Sequence, residues 1–455
     1  MAILKLRARL SVGAVALALL GVAGCAGHES RVETALAALD ASSPHLAVQA
    51  LDEELDLEGP DAMPEDMRTD DALLVLDRGT IQLSLGDWKR ATRDLGAADK
   101  AIDILDMSHD AADDLGKYLF SDDVGPYRAP AYEKLMINTF GVAGYLAQGN
   151  VDDAKVEARR LAIVGKYLQD NDQTTTMLGV GSYLSGFAFE KAGSTDEALL
   201  YYEDALAAQS YESLRDPIRV LSKGAPVRER SKELVGAAGP LAPVSETGEC
   251  DVLVMVAYGR VPRKLPVRLP VGVALSLVAG SISPHDEARA NELVAEGLAT
   301  WVNFPELGPS RGVHSAPVAA LEGQPVGFDD GVDLDAEAHR VWDDQKPTIV
   351  LSAITRMIAR LTIMEGARAA GRGAKKGSGE AVGLLAGLAA SVALTAADTP
   401  DTRSWSTLPA RIAITRFRVP AGDHSMRVRI RGADRTVTIH AKKGGWAFVP
   451  IFELR

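Results

Sequence analysis

One spacing recurs three times in the first half of the chain and constrains its fold more than any other feature. Gly79, Gln82, Gly86, Ala91, Leu95 and Ala98 are separated by 3, 4, 5, 4 and 3 residues. The same intervals link Gly186, Phe189, Gly193, Ala198, Tyr202 and Ala205. They return, with larger residues in two places, at Val142, Tyr145, Gly149, Ala154, Ala158 and Leu161. Steps of three and four keep residues on one face of a helix. The step of five holds a polar turn: Asp87, Asn150, or Ser194-Thr195-Asp196. Each copy therefore predicts two helices folded back on one another. The glycine before the turn supplies positive φ without steric cost. The alanines let two backbones approach where a larger side chain would overpack.

This small/large pattern resembles the tetratricopeptide repeat. Matched positions lie 63 and 44 residues apart rather than in tandem, so insertions separate the units, notably over 103–130. A fourth, partial unit begins near residue 31, with Ala47, Leu51 and Glu54 in register. Residues 30–235 are read as an all-helical, tetratricopeptide-like domain. The resemblance implies a helical surface that binds a peptide or protein. Tyr132, Tyr145, Tyr183, Tyr201 and Tyr202 are candidate contacts there, although aromatics at helical spacing more often fill a core.

The N-terminus reads as an address. Lys5, Arg7 and Arg9 precede an apolar run over 10–22, and Val22-Ala23-Gly24-Cys25 closes it. Small residues before a cysteine resemble the lipobox of bacterial lipoproteins. That resemblance implies a signal peptide over 1–24, cleavage before Cys25, acylation of Cys25 by chains such as palmitate, and a lipidated tether over 25–29. Several acyl chains at about 0.8 kcal/mol per buried CH₂ hold a domain stably at a bilayer. Ala26, where aspartate favours inner-membrane retention, points to an outer membrane and a domain facing the periplasm. Cys250, the second of two cysteines, reads as a small buried residue at a strand start.

Charge divides the remainder. Acidic residues exceed basic ones by 20 over 26–250, whereas basic residues exceed acidic ones by 4 over 251–455. The formal net charge of −13 argues against nucleic acid as a partner. A breaker-rich stretch over 236–243 places a linker at 236–249. Residues 250–455 then read as an α+β domain with an antiparallel sheet or small sandwich. Strands are expected over 251–258, 265–271, 300–304, 411–419, 425–430, 435–441 and 446–452. Pro305 is expected to close the third, and Pro420-Ala421-Gly422-Asp423 to form a hairpin. Helices are expected over 286–298, 336–342, 348–366 and 381–397. The last is 17 residues without a charge and reads as a packed helix or, with the basic residues before it, a membrane contact.

Between that segment and the terminal strands lies Asp401-Thr402-Arg403-Ser404-Trp405-Ser406-Thr407-Leu408-Pro409. Asp401, Arg403 and Trp405 so close together suggest a fixed loop with an ion pair and an aromatic anchor. Lipobox, degenerate repeats, Ala/Gly-rich segment and this loop together resemble uncharacterised bacterial lipoproteins with tetratricopeptide-like N-terminal halves. That resemblance brings no activity with it.

Catalytic patterns are weak. Gly308-Pro309-Ser310-Arg311-Gly312 matches G-x-S-x-G, but residues 313–318, with Pro317 among them, do not read as the helix a nucleophile elbow needs. Gly371, Gly373, Gly377 and Gly379 miss the dinucleotide fingerprint by one residue. The eight histidines are scattered, and Asp329, Asp330, Asp333 and Asp335 lack the spacing of a calcium loop. No catalytic residue, metal or cofactor is expected. The expected function is a non-enzymatic envelope scaffold or adaptor that binds an envelope protein or peptide. The alternatives are a hydrolase using Ser310 and a membrane-associating component using 348–397.

Overall fold

The computed structural model describes residues 27–67, 70–107, 127–170, 177–311, 315–372 and 399–455. The helical half comes first: α1 (His28–Arg31), α2 (Glu33–Asp40), α3 (Pro44–Glu54), α4 (Asp71–Leu85), α5 (Trp88–Met107), α6 (Ala131–Ala147), α7 (Val151–Asp170), α8 (Leu178–Lys191) and α9 (Thr195–Ala208). A 3₁₀ turn (Glu212–Leu214), α10 (Arg215–Leu221), α11 (Glu229–Val235) and α12 (Val244–Thr247) lead out of it. The pairs α2/α3, α4/α5, α6/α7 and α8/α9 pack as hairpins, and successive hairpins pack side by side.

The second half opens with β1 (Cys250–Tyr258), β2 (Lys264–Pro270), α13 (Val271–Leu277), α14 (Pro284–Ala295) and β3 (Trp301–Leu307). Then come β4 (Val318–Leu321), β5 (Gln324–Val326), β6 (Asp329–Asp333) and α15 (Leu334–Arg372). The chain ends on β7 (Arg411–Val419), β8 (Gly422–Ile430), β9 (Ala433–Ala441) and β10 (Trp446–Glu453). The strands form three sheets, in orders β10-β1-β7-β6, β5-β4-β8-β9 and β2-β3. The first sheet is mixed, because β10 runs parallel to β1 while β7 runs antiparallel to it.

The sheet alternation shows where the core lies. Leu253, Met255 and Ala257 of β1 join one hydrophobic cluster with Ile412 and Ile414 of β7, Phe452 of β10 and the helices α4 to α9. Val252, Val254 and Val256 point to the other face, where they meet Met426, Val428 and Ile439 of the second sheet. Helices, mixed sheet and antiparallel sheet are thus three stacked layers, and the middle sheet is covered on both sides. That explains the unbroken apolar run of β1, which alternation alone would not produce. A satellite built from β2, β3 and α13 to α15 has its own core, including Phe304, Trp342, Val350 and Ile354.

Several expectations are corrected. The helices expected over 336–342 and 348–366 are one helix, α15, with Pro347 inside it. Glu306 brackets the proline: it accepts from Trp342 Nε1 at 3.2 Å and meets Lys346 Nζ at 2.8 Å. With Trp342 and Val350 buried in the same core, packing holds the helix through the missing N–H. By length and composition this helix suffices to cross a membrane, but 44% of its apolar stretch is buried. Pro305 does not close β3; it sits opposite Pro266 in a two-stranded ribbon, where a proline can face outward on an edge. Residues 420–423 do not make a hairpin: β7 and β8 lie in different sheets, and the turn carries the chain from one layer to the next. β4, β5 and β6 were not expected; β4 and β5 join through Glu322 and Gly323, both at positive φ as a tight two-residue turn requires. Asp329, Asp330 and Asp333, read as an acidic loop, belong to β6. The segment 381–397 and the leader 1–24 lie outside the described residues.

Candidate functional site

The recurring spacing has a common geometry. In each hairpin the glycine takes positive φ: 76° at Gly86, 72° at Gly149 and 80° at Gly193. The residue after it donates back to the second residue of the pattern: Asp87 N to Gln82 O at 3.0 Å, Asn150 N to Tyr145 O at 2.9 Å, and Ser194 N to Phe189 O at 2.9 Å. These six-residue closures satisfy carbonyls that a helix end leaves unpaired. Gly79 and Gly186 mark close crossings. A Cβ on Gly79 would lie 3.2 Å from Asp94 Cβ and 3.4 Å from Ala91 O, and one on Gly186 would lie 2.5 Å from the Tyr202 ring. Ala91, Ala98, Ala154, Ala198, Ala205, Phe189 and Tyr202 are all buried. So are Tyr132, Tyr183 and Tyr201, which places these candidate contacts in the core. The first helices of the hairpins, α4, α6 and α8, are buried almost along their length because the mixed sheet covers them. The inner helical surface is occupied by the chain itself.

Two polar anchors fasten the layers. The first is the 401–409 loop. Asp401 and Arg403 form an ion pair, with Nε to Oδ1 at 2.8 Å, and the Arg403 guanidinium lies 5.9 Å from the Tyr127 ring centre. Burial alone would raise the Asp401 carboxyl, but Arg403 outweighs it and holds it below the usual range. Trp405 is buried, donates Nε1–H to Thr80 Oγ1 at 2.9 Å, and meets the Phe140 ring edge-on at 5.8 Å. Its backbone N–H donates to Glu133 Oε1 at 3.2 Å, while Tyr127 OH donates to Glu133 Oε2. Thr407 donates to Asp77 through both N and Oγ1. His28 reaches the Ser404 carbonyl at 3.1 Å and lies 3.8 Å from Asp77 Oδ2. Burial pushes Asp77 up to about 6 and Glu133 up to about 7.

The second anchor joins α8 to β1 and β7. Arg416 donates Nε–H to Asp251 Oδ1 at 2.9 Å, Nη2–H to Glu190 Oε1 at 2.6 Å and Nη1–H to Tyr202 OH at 2.9 Å. Lys191 bridges Glu190 at 2.7 Å and Asp251 at 2.5 Å. Both cations lie over the Phe187 ring, at 4.8 and 4.9 Å. Burial works against the two carboxylates, but Arg416 and Lys191 outweigh it and hold both below their usual values. These four charges line a cleft of about 510 Å³ together with Glu212, Asp216 and Arg418. Two acids and two bases in direct contact leave no net charge in its floor. The arrangement holds layers together and has no unbalanced group aimed at a ligand.

No protein-family model and no curated protein matches the chain.

The remaining sequence candidates are scattered. Cys25 lies outside the described residues. Ser310 is exposed in the loop after β3 and donates to Asp335 Oδ2 at 2.7 Å. Among the described residues no imidazole is bonded to it, and β4 rather than a helix is the next element. The Nδ1 of His339 is spent on the Asp335 carbonyl, at 2.8 Å. Asp329 accepts from the backbone N–H of Glu212 and Ser213, at 3.1 and 2.9 Å, which ties β6 to the 3₁₀ turn. Among the described residues no group of three or more His, Cys, Asp and Glu is placed to hold a metal ion. Cys250 is buried.

Sequence reasoning missed Asp77, Glu133, Glu190, Asp251 and Arg416. A signal was available for the first: Asp77-Arg78 interrupts the apolar run of α4, and both are buried. Arg78 is matched by Asp94 and Asp52, each at 2.7 Å. A charged pair inside a buried helix must have partners elsewhere. Which partners Asp77 finds depends on a segment more than 300 residues away.

Proposed function

We propose that the chain is a bacterial cell-envelope lipoprotein, held by an acylated Cys25 and acting as a non-enzymatic scaffold that binds an envelope protein or peptide. The helical hairpins are tetratricopeptide-like in this reading, and their outer helices carry the partner surface. The observation that carries it is an apolar stripe on α7. Val156, Ile163 and Tyr167 are 44%, 69% and 63% exposed on one helical face, in a layer whose inner face is already filled. An amphipathic surface helix normally turns such residues inward, and exposed apolar groups in a row mark an interaction surface. Glu29 is held to the body by Thr402 and Arg263.

The hydrolase alternative gains nothing from the surroundings of Ser310, whose partner is a carboxylate. Two experiments test the proposal. Labelled palmitate should enter the parent chain and not Cys25→Ser. Crosslinking in envelope membranes should recover a defined partner with the parent and lose it with Ile163→Asp. Incorporation independent of Cys25, or a partner set unchanged by Ile163→Asp and Val156→Asp together, rejects the corresponding half of the proposal.

A further inference from the structure

A second cleft, of about 560 Å³, lies between α3, the loop after it, and the α4–α5 turn. Gln82 lines it and is only 1% exposed, yet neither Nε2 nor Oε1 of its carboxamide has a hydrogen-bond partner. A buried amide left unpaired is unfavourable, and few native groups are left so. Its backbone carbonyl closes the α4–α5 hairpin, which leaves the carboxamide free of that task. Its side chain offers one donor and one acceptor, which can meet the C=O and N–H that one residue of an extended peptide turns to the same side.

The walls of the same cleft are acidic. Asp52, Glu53, Glu58 and Asp87 line it against Arg90 and one imidazole, His45. Asp52 is matched by Arg78, and Arg90 is spent on Asp61 and Asp87. Among the described residues Glu53 meets only the Gln49 amide, at 2.9 Å, and no cation pairs with Glu58. Val48, Leu57, Pro60 and Leu85 supply apolar wall. An unpaired amide beside two uncompensated carboxylates selects a ligand with a peptide group and a positive charge. The volume accommodates a few residues, within the ordinary range for ligand clefts.

We infer that this cleft binds an extended peptide segment carrying a lysine or arginine, its backbone paired with the Gln82 carboxamide and its cation facing Glu53 and Glu58. The inference deepens the scaffold proposal and rests on it, by naming the chemistry of the partner.

The test uses the full chain, purified in detergent, and a fluorescein-labelled, end-blocked pentapeptide of four alanines around a central lysine. Anisotropy should show saturable binding that weakens with salt. The same peptide with central glutamate should bind at least about tenfold more weakly, and Gln82→Leu should lose about tenfold, the scale of one hydrogen-bonded amide pair. Glu58→Gln should flatten the salt dependence. Gln82→Leu removes an unpaired buried amide, so its melting temperature should hold or rise, and lost binding then reports the site. Equal binding of the lysine and glutamate peptides overturns the inference. So does a Gln82→Leu chain that binds like the parent, or displacement of the peptide by spermidine irrespective of residue 82, which leaves an acidic surface only. If the parent chain ignores the peptide while envelope capture still depends on Ile163, the cleft inference falls and the scaffold proposal stands.

Discussion

Thr407 donates both its backbone N–H and its hydroxyl to the same oxygen of Asp77, at 2.8 and 2.7 Å. The two residues are 330 positions apart, and both are buried. This pair pins the loop before β7 to α4, and so the C-terminal sheet to the first complete helical hairpin. Thr407→Val removes one donor and leaves the carboxylate under-satisfied. It should cost about 1–3 kcal/mol. Urea unfolding of the two proteins checks this, and a change below a few tenths of a kcal/mol would mean that water replaces the hydroxyl.

The same anchor makes stability depend on pH. Burial raises Asp77 from 3.8 to about 6 and Glu133 from 4.5 to about 7. The folded state therefore binds more protons than the unfolded state between those limits. Stability from these groups is complete below about pH 4 and is lost as pH rises to about 7. Asp401, Glu190 and Asp251 run the other way, since their carboxyls are held low and their contribution fades in acid. Melting temperature should thus peak on the acid side of neutrality. Glu133→Gln removes one of the two upper titrations and should flatten the fall toward pH 7, and an unchanged slope rejects the assignment.

The legible part of this fold was local. Gly86, Gly149 and Gly193 could be placed because a helix-ending glycine needs only its neighbours. The β1 run could be assigned to a strand for the same reason. What could not be read was which surface meets which. The alanines at 91, 154 and 198 report a close helix pair, but nothing in them says that a sheet built far later in the chain covers α4, α6 and α8. The 401–409 loop was conspicuous for its Asp, Arg and Trp, yet its partners Thr80, Glu133 and Phe140 lie far off in sequence. Pro347 misled because its cost is local while the packing that offsets it is not. In the sequence Gln82 is only a repeat position, because an unpaired amide has no sequence signature.

The shared core bears on how the chain can be dissected. Leu253, Met255, Ile412, Ile414 and Phe452 share one cluster with helical residues such as Phe140 and Tyr183. Cutting the chain at 236–249 strips both faces of apolar cover. The 30–235 and 250–455 fragments, expressed alone, should bind a hydrophobic dye and aggregate. Expressed together, they should co-purify and regain the parent melting behaviour within a few degrees. Two soluble, well-folded fragments that ignore each other would falsify the three-layer packing.

Glycine substitutions test the hairpin geometry one position at a time. At Gly96, inside α5, an added Cβ meets nothing within 4 Å, and alanine should stabilise by about 0.5–1 kcal/mol through helix propensity. At Gly149 the space is also open, but φ is 72°, so alanine should cost about 1–2 kcal/mol in backbone strain alone. At Gly186 the backbone is ordinary helix and the obstacle is Tyr202, whose ring a Cβ would approach to 2.5 Å. That ring cannot swing away freely, because its hydroxyl is bonded to Glu190 at 2.5 Å and Arg416 at 2.9 Å. Its edge also meets Tyr183 at 6.0 Å. Gly186→Ala should therefore cost about 1–3 kcal/mol, the range of an overpacked core, and disturb the Arg416 anchor as well. Adding Tyr202→Phe frees the ring from its two polar partners, so the double variant should lose less than the sum of the single changes. Simple additivity in that double-mutant cycle would show that Tyr202 is not held by Glu190 and Arg416, and the second anchor would lose its role in fixing the last hairpin.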